Sequence, residues 1–144
     1  MRTGLSYDDV CLIPKYNNIA SRTIPDLSTD LTVGTKMGIP IVAANMDTVI
    51  GAELGYELQS YGSIPILHRF YKPEEIKELI STARQFNNNC FLSCGVTGLD
   101  EFKWFVDDNS LNIKGVCLDI AHGHSLAMFN AINDLLLWRP NQRS

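Results

Sequence analysis

The chain has 144 residues and a mass of 16.1 kDa, with 45% apolar and 19% charged residues, a formal charge of −4 and a pI near 5.2. This composition excludes a disordered or low-complexity chain, and a domain of this length buries roughly 68–70% of its unfolded surface without needing disulfide or metal staples. The acidic balance argues against a nucleic-acid or anionic-membrane surface as its main task.

At the amino terminus, Met1–Asp9 carries a lone Arg2 and no apolar stretch, so it does not read as a secretory signal. No run anywhere approaches the ~18–20 apolar residues of a membrane span, and the expected location is cytoplasmic. Tyr7–Pro14 and Leu31–Lys36 read as two short strand-like pieces, expected to form a hairpin lid over one end. Four apolar runs of strand length follow, Gly38–Ala44, Ser63–Leu67, Cys90–Gly95 and Gly115–Asp119. Their low internal polarity is that of strands covered on both faces.

Helical stripes alternate with these runs. They are Leu54, Leu58 and Tyr61; Ile76, Leu79, Ile80 and Ala83; Leu99, Phe102 and Val106; and Leu126, Phe129, Ile132 and Leu136. Start signals accompany them: Thr48 before the first, Pro73 with Glu74 and Glu75 at the second, Thr97 with Asp100 at the third, and Ser125 at the fourth. Four strand–helix units in succession imply one α/β domain over residues 1–144 with a parallel sheet and right-handed crossovers. A doubly wound open sheet and the first four units of a (β/α)₈ barrel both satisfy the pattern.

In either architecture ligands bind where parallel strands end. Those ends are polar here: Asn45-Met46-Asp47-Thr48, His68-Arg69, Gly95-Val96-Thr97, and Asp119 through Ser125. Arginine, carboxylate, amide and imidazole groups on one rim suit a polar, anionic ligand. Asp47, Thr48 and Ser125 taken singly also read as plain helix caps. His122 and His124 stand two apart, which does not match the i, i+4 spacing of histidines meeting a metal on a helix, and no C-x-x-C pair is present. No metal site is expected. Cys11, Cys90, Cys94 and Cys117 sit in apolar runs and read as reduced thiols. Asp119 closing an apolar run must be solvated or paired.

The residues Leu5-Ser-Tyr-Asp-Asp-Val-Cys-Leu-Ile-Pro14, Ile19-Ala-Ser-Arg22, Pro40-Ile-Val-Ala-Ala-Asn-Met-Asp-Thr-Val49, Leu67-His-Arg-Phe70 and Leu118-Asp-Ile-Ala-His-Gly-His-Ser125 follow one family's order and spacing. The chain resembles the amino-terminal half of the GMP reductase / IMP dehydrogenase family, from about residue 5 to about residue 137. The resemblance implies a (β/α)₈ TIM barrel, of which these residues would supply about the first four units plus the amino-terminal hairpin segment, a partial barrel. Many IMP dehydrogenases carry a regulatory insert before the third strand, where this chain has only Asn87-Asn88-Asn89, so the likeness is to GMP reductase. A compact IMP dehydrogenase acting with NAD, and a non-catalytic nucleotide-binding or assembly fragment, are the alternatives.

By the same resemblance, Ser21 and Arg22 hold the cofactor phosphate end and Arg69 is a cofactor-contacting basic residue. Asp119, Ile120 and Ala121 line the nicotinamide side, and Met46 packs under the purine. The implied reaction is reductive deamination of GMP to IMP and ammonia with NADPH, in purine nucleotide metabolism. In the family a loop cysteine attacks C2 of the purine, ammonia leaves, and the covalent adduct accepts a hydride. That Gly-rich cysteine loop has no counterpart here, so no catalytic residue is assigned, and the chain is expected to be truncated and inactive alone. The resemblance also implies a monovalent cation at a loop not present in these residues. Expected partners are a purine nucleotide, and either a second copy or a complementing half barrel, since intact relatives are tetramers.

Overall fold

The protein, here as a computed structural model, is described for residues 4–87 and 89–138. Met1–Thr3, Asn88 of the short junction and Arg139–Ser144 lie outside the described residues. The elements are β1 (Thr29–Thr32), β2 (Thr35–Met37), α1 (Ala52–Ser60), β3 (Ile66–Leu67), α2 (Ile76–Gln85), β4 (Phe91–Cys94), α3 (Leu99–Asp108), β5 (Gly115–Leu118) and α4 (Leu126–Leu137).

β3, β4 and β5 form a parallel sheet in that order, with Ile66 opposite Phe91 and Ser93 opposite Cys117. The α/β alternation with a parallel sheet is as the sequence implies. Gly38–Ala44, however, is not a ladder strand. Pro40 has no N–H to donate, and the run is held instead by Gly38 N–H to the Gly62 carbonyl and by the Ser63 hydroxyl to the Ile41 carbonyl. Pro65 likewise shortens the second run to the two residues of β3.

Two features of the amino-terminal third differ from expectation. Tyr7–Pro14 is not a strand: Ser6 donates to the Asp9 carboxylate from its backbone N–H (2.8 Å) and its hydroxyl (2.9 Å), winding Tyr7–Asp9 into a 3-10 turn. The hairpin forms wholly within residues 29–37, turned by Gly34 at φ +77°. It closes the sheet from the end where the strands begin, packing Met37 against Ile64 and Phe91.

The main core lies between sheet and helices, with Ile50, Leu67, Leu79, Ala83, Phe86, Cys90, Leu92 and Val106 all buried. α2 and α3 bury the stripes that periodicity selects. α1 buries Gly55 and packs Leu58 of the expected stripe on the core, while Leu54 and Tyr61 stay exposed. α4 reverses the expectation, burying Ala131 and leaving Leu126, Phe129, Ile132 and Leu136 in solvent. An apolar helix announces its period without announcing its face.

Candidate functional site

Because the three strands run parallel, their carboxyl ends share one rim. His68 and Arg69 follow β3, Gly95 follows β4 and Asp119 follows β5. Arg69 Nε donates to Asp119 Oδ2 at 2.8 Å, spanning the end of the intervening β4. The crossing passes close to Gly95, where a Cβ would stand in ordinary contact 3.9 Å from Arg69 Nη1. The Asp119 backbone is fixed by its N–H to the Cys94 carbonyl (2.8 Å), and the Arg69 guanidinium lies 4.5 Å above the Phe70 ring. Both partners are partly exposed, so the pair adds only about 0–1 kcal/mol of stability. Its importance is geometric. Among the described residues the two Nη groups make no hydrogen bond, so the donors suited to a phosphate or carboxylate remain available.

Behind Arg69, His68 is buried and stacks on Tyr71 with ring centroids 4.1 Å apart and planes within 6°. Its Nδ1 accepts the Phe70 backbone N–H at 3.2 Å. Burial lowers the His68 pKa below the usual imidazole value, against weaker opposing pulls from Asp47 and Glu75, so the ring is neutral at pH 7. Burial, helped by Glu78 and Glu75, pushes the Tyr71 phenol up to about 12. His68, Tyr71, Leu79, Leu92, Phe102 and Thr97 help enclose a cavity of about 250 Å³ between α2, α3 and the rim.

On the sheet, Asn45 Nδ2 donates to Ser93 Oγ at 3.0 Å, and Ser93 also hydrogen-bonds Cys117, its neighbour in register. Burial raises the Cys117 pKa, with the Ser93 bond opposing. It also pushes the Cys90 and Cys94 thiols up to about 11. These thiols are protonated at neutral pH and are poor nucleophiles.

Of the residues expected at the site, the structure joins Arg69 and Asp119 directly. Ile120 is half-buried and Ala121 exposed, immediately beyond Asp119. Met46 is 50% exposed in the turn after the Pro40 run, where its carbonyl accepts from Val49 and Ile50. Ser21 and Arg22 are not brought to this rim by any hydrogen bond among the described residues. Ser21 instead bonds Thr23 (2.9 Å) and the Ile24 N–H, within an exposed leading segment. Ser125 caps α4, its Oγ accepting from Met128 N–H at 3.3 Å. Thr48 and Thr97 do not cap; Gly51 and Gly98 hold those positions, Gly98 at φ +73°. His124 meets the Phe129 ring edge-on at 5.7 Å. Among the described residues no group of three or more His, Cys, Asp or Glu could hold a metal ion. The His68–Tyr71 stack and the Asn45–Ser93–Cys117 network were not foreseeable from spacing, because they join residues far apart in the chain or depend on side-chain direction.

A sequence profile of the IMP dehydrogenase / GMP reductase domain matches residues 4–137. The chain belongs to this family. Within it, GMP reductase of Bacillus licheniformis is 32% identical over 144 aligned positions, covering 98% of this chain and 43% of the relative. Inosine-5'-monophosphate dehydrogenase of Nitrosopumilus maritimus is 40% identical over 84 residues, covering 58% of this chain and 18% of the relative. Among solved structures, inosine 5' monophosphate dehydrogenase from Legionella pneumophila superposes with a TM-score of 0.70 at 27% identity, covering 89% of this chain and 39% of that one. The family's fold is the TIM barrel. The chain thus spans less than half the length of these relatives. Among the described residues no helix is long and apolar enough to cross a membrane.

Proposed function

We propose that these residues form the first βα units of a family barrel and supply the cofactor-facing side of an NADPH-dependent GMP reductase. The reaction is reductive deamination of GMP to IMP and ammonia in the cytoplasm. The observation carrying this reading is the Arg69–Asp119 bridge across the strand ends, with its unengaged Nη donors beside a cavity of about 250 Å³. The donor set fits a dinucleotide: a guanidinium suits its phosphates, and a carboxylate suits ribose hydroxyls. Bound there, the nicotinamide supplies the hydride.

In this reading Arg69 holds and orients the cofactor and Asp119, Ile120 and Ala121 line its nicotinamide side. Met46 offers an apolar seat to the purine, and Ser21 and Arg22 reach the phosphate end. The strand thiols do not provide the nucleophile, since burial keeps Cys90 and Cys94 protonated. On this reading the catalytic cysteine lies outside β4 and its start, and these residues need the rest of the barrel to turn over GMP. A second copy or a complementing half barrel is the proposed partner. The 40%-identical IMP dehydrogenase supports a second reading, oxidation of IMP with NAD on the same rim. A nucleotide-binding fragment without catalysis is the third.

Titrating NADPH and NAD separately into the full chain, by isothermal titration calorimetry, tests the reading. Arg69→Ala and Asp119→Ala each remove a charged partner, for which a loss of about 1.5–3 kcal/mol is expected, tenfold or more in Kd. Equal affinity in wild type and both variants overturns the assignment. Preference for NAD over NADPH favours the dehydrogenase reading.

A further inference from the structure

The corner after β3 is closed by a side chain. His68 Nδ1 accepts the Phe70 backbone N–H at 3.2 Å, so the bond spans Arg69 and fixes the backbone on which it stands. Asn and Asp side chains close turns two residues on in the same way. The imidazole is itself held, stacking on Tyr71 at 4.1 Å, and Tyr71 packs on the main core. Phe70, whose amide it takes, carries the ring that lies 4.5 Å beneath the Arg69 guanidinium. The backbone of Arg69 and the seat of its head group both depend on one imidazole nitrogen.

Only a neutral ring can close this corner. With Nδ1 accepting, the ring proton sits on Nε2, and a second proton would turn Nδ1 into a donor facing an N–H. Asp47, from the turn after the Pro40 run, and Glu75, just before α2, favour that proton, and burial outweighs them. Tyr71, influenced by Glu78 of α2, and Cys94 at the end of β4 both stay protonated at neutral pH. Arg69 is already paired with Asp119. His122 and His124 follow Asp119, on the far partner of that pair.

We propose that His68 is a positioning residue for the Arg69 anion site: its neutral ring holds the corner, and protonation of Nδ1 frees the Phe70 N–H and releases Arg69. The Nη donors then keep their charge and lose their fixed direction, so affinity for a phosphate falls in acid. Charge alone predicts the reverse, since a protonated ring adds a cation beside the anion. This deepens the cofactor reading, and only the ligand arm of its test rests on that reading.

The first measurement, NMR on the full chain, needs no ligand. Between about pH 7.5 and 5 the Phe70 amide and the Arg69 Nε–H should move together with the His68 ring. Both should stay still in His68→Asn, whose amide oxygen can accept the same N–H without titrating. His122 and His124 remain in that variant, so resonances that still move there, or that do not follow His68 in the wild type, overturn the proposal. The second is calorimetry with the oxidised cofactor NADP, which withstands acid. Relative to His68→Asn, wild-type affinity should drop about threefold or more from about pH 7.5 to 5, in proportion to the closed fraction. Protonation of the ligand is common to both proteins and cancels in that ratio. His68→Phe keeps a ring against Tyr71 but has no acceptor, and should bind weakly at both pH values. A ratio that holds or rises in acid, or wild-type affinity in His68→Phe at neutral pH, overturns the proposal. Should NADP bind none of the proteins while the resonances move as expected, the cofactor reading fails and the positioning role of His68 stands.

Discussion

Gly55 is the point where α1 comes closest to the core, and adding one methyl there tests the packing directly. A Cβ at position 55 would lie 2.5 Å from Cζ of Phe86 and 3.2 and 3.3 Å from its Cε atoms. Carbon atoms in contact sit about 3.5–4.0 Å apart, so the ring or the helix must retreat by about 1 Å or more. Phe86 is fully buried within the main core, and the Tyr56 ring packs 4.7 Å from it, so it has little space to retreat into. Overpacking of this kind costs about 1–3 kcal/mol. Helix propensity acts the other way, favouring Ala over Gly by about 0.8–1.0 kcal/mol. For Gly55→Ala a net loss of about 0–2 kcal/mol follows, read as a lower urea midpoint at unchanged slope. Combining it with Phe86→Leu should recover part of the loss, because the new methyl occupies space the ring tip leaves. A raised midpoint for Gly55→Ala alone would refute the reasoning: helix propensity would then govern this position and the close approach would not.

Ser125→Ala removes the one side-chain cap of α4 and should cost about 1 kcal/mol in urea unfolding. His68, with its pKa lowered by burial, makes stability depend on acid. The unfolded chain takes up a proton as pH falls through about 6.5 while the folded chain resists, so the stability is present above that value and lost below it. Wild type should show this fall between about pH 7 and pH 5 more steeply than His68→Gln, measured by urea midpoint. The Cys90 and Cys94 thiols act in the alkaline range. With folded values raised from 9.0 to about 11, their contribution is complete below pH 9.0 and is lost as pH rises toward 11. Under native conditions near neutral pH, a disulfide reagent should label exposed Cys11 at once and these two only on unfolding.

The helices were legible because a 3.6-residue period persists whichever face is buried. Their positions followed from Ile76, Leu79, Ile80 and Ala83 and from the comparable stripes elsewhere. Facing was legible only where polar residues mark the opposite side, as on α2, and it failed on α4, where both sides are apolar. Strand limits were blurred by Pro40 and Pro65, which keep an apolar run extended while withdrawing ladder donors. The hairpin was misplaced because the apolar run from Val10 to Ile13 outweighed the Gly34 turn signal. At the rim, Asp119 had to find a partner, and the strand ends supplied Arg69. Nothing local could announce the pairing of Asn45 with Ser93, since it depends on the sheet bringing distant residues together.

The leading segment gives the chain a vulnerable period during synthesis. Residues 4–28 are exposed throughout, and among the described residues their hydrogen bonds close within the segment, as in Asn17 to Ile19 and Asp26 to Ser28. They leave the ribosome ahead of the βα units, displaying Tyr7, Leu12 and Tyr16 almost wholly to solvent. The βα units that emerge afterwards pair with one another and leave this stretch uncovered. Proteases and chaperones therefore meet it before any partner does, and a first cut should fall ahead of Thr29. Such a cut leaves the hairpin and the parallel sheet as a resistant remnant.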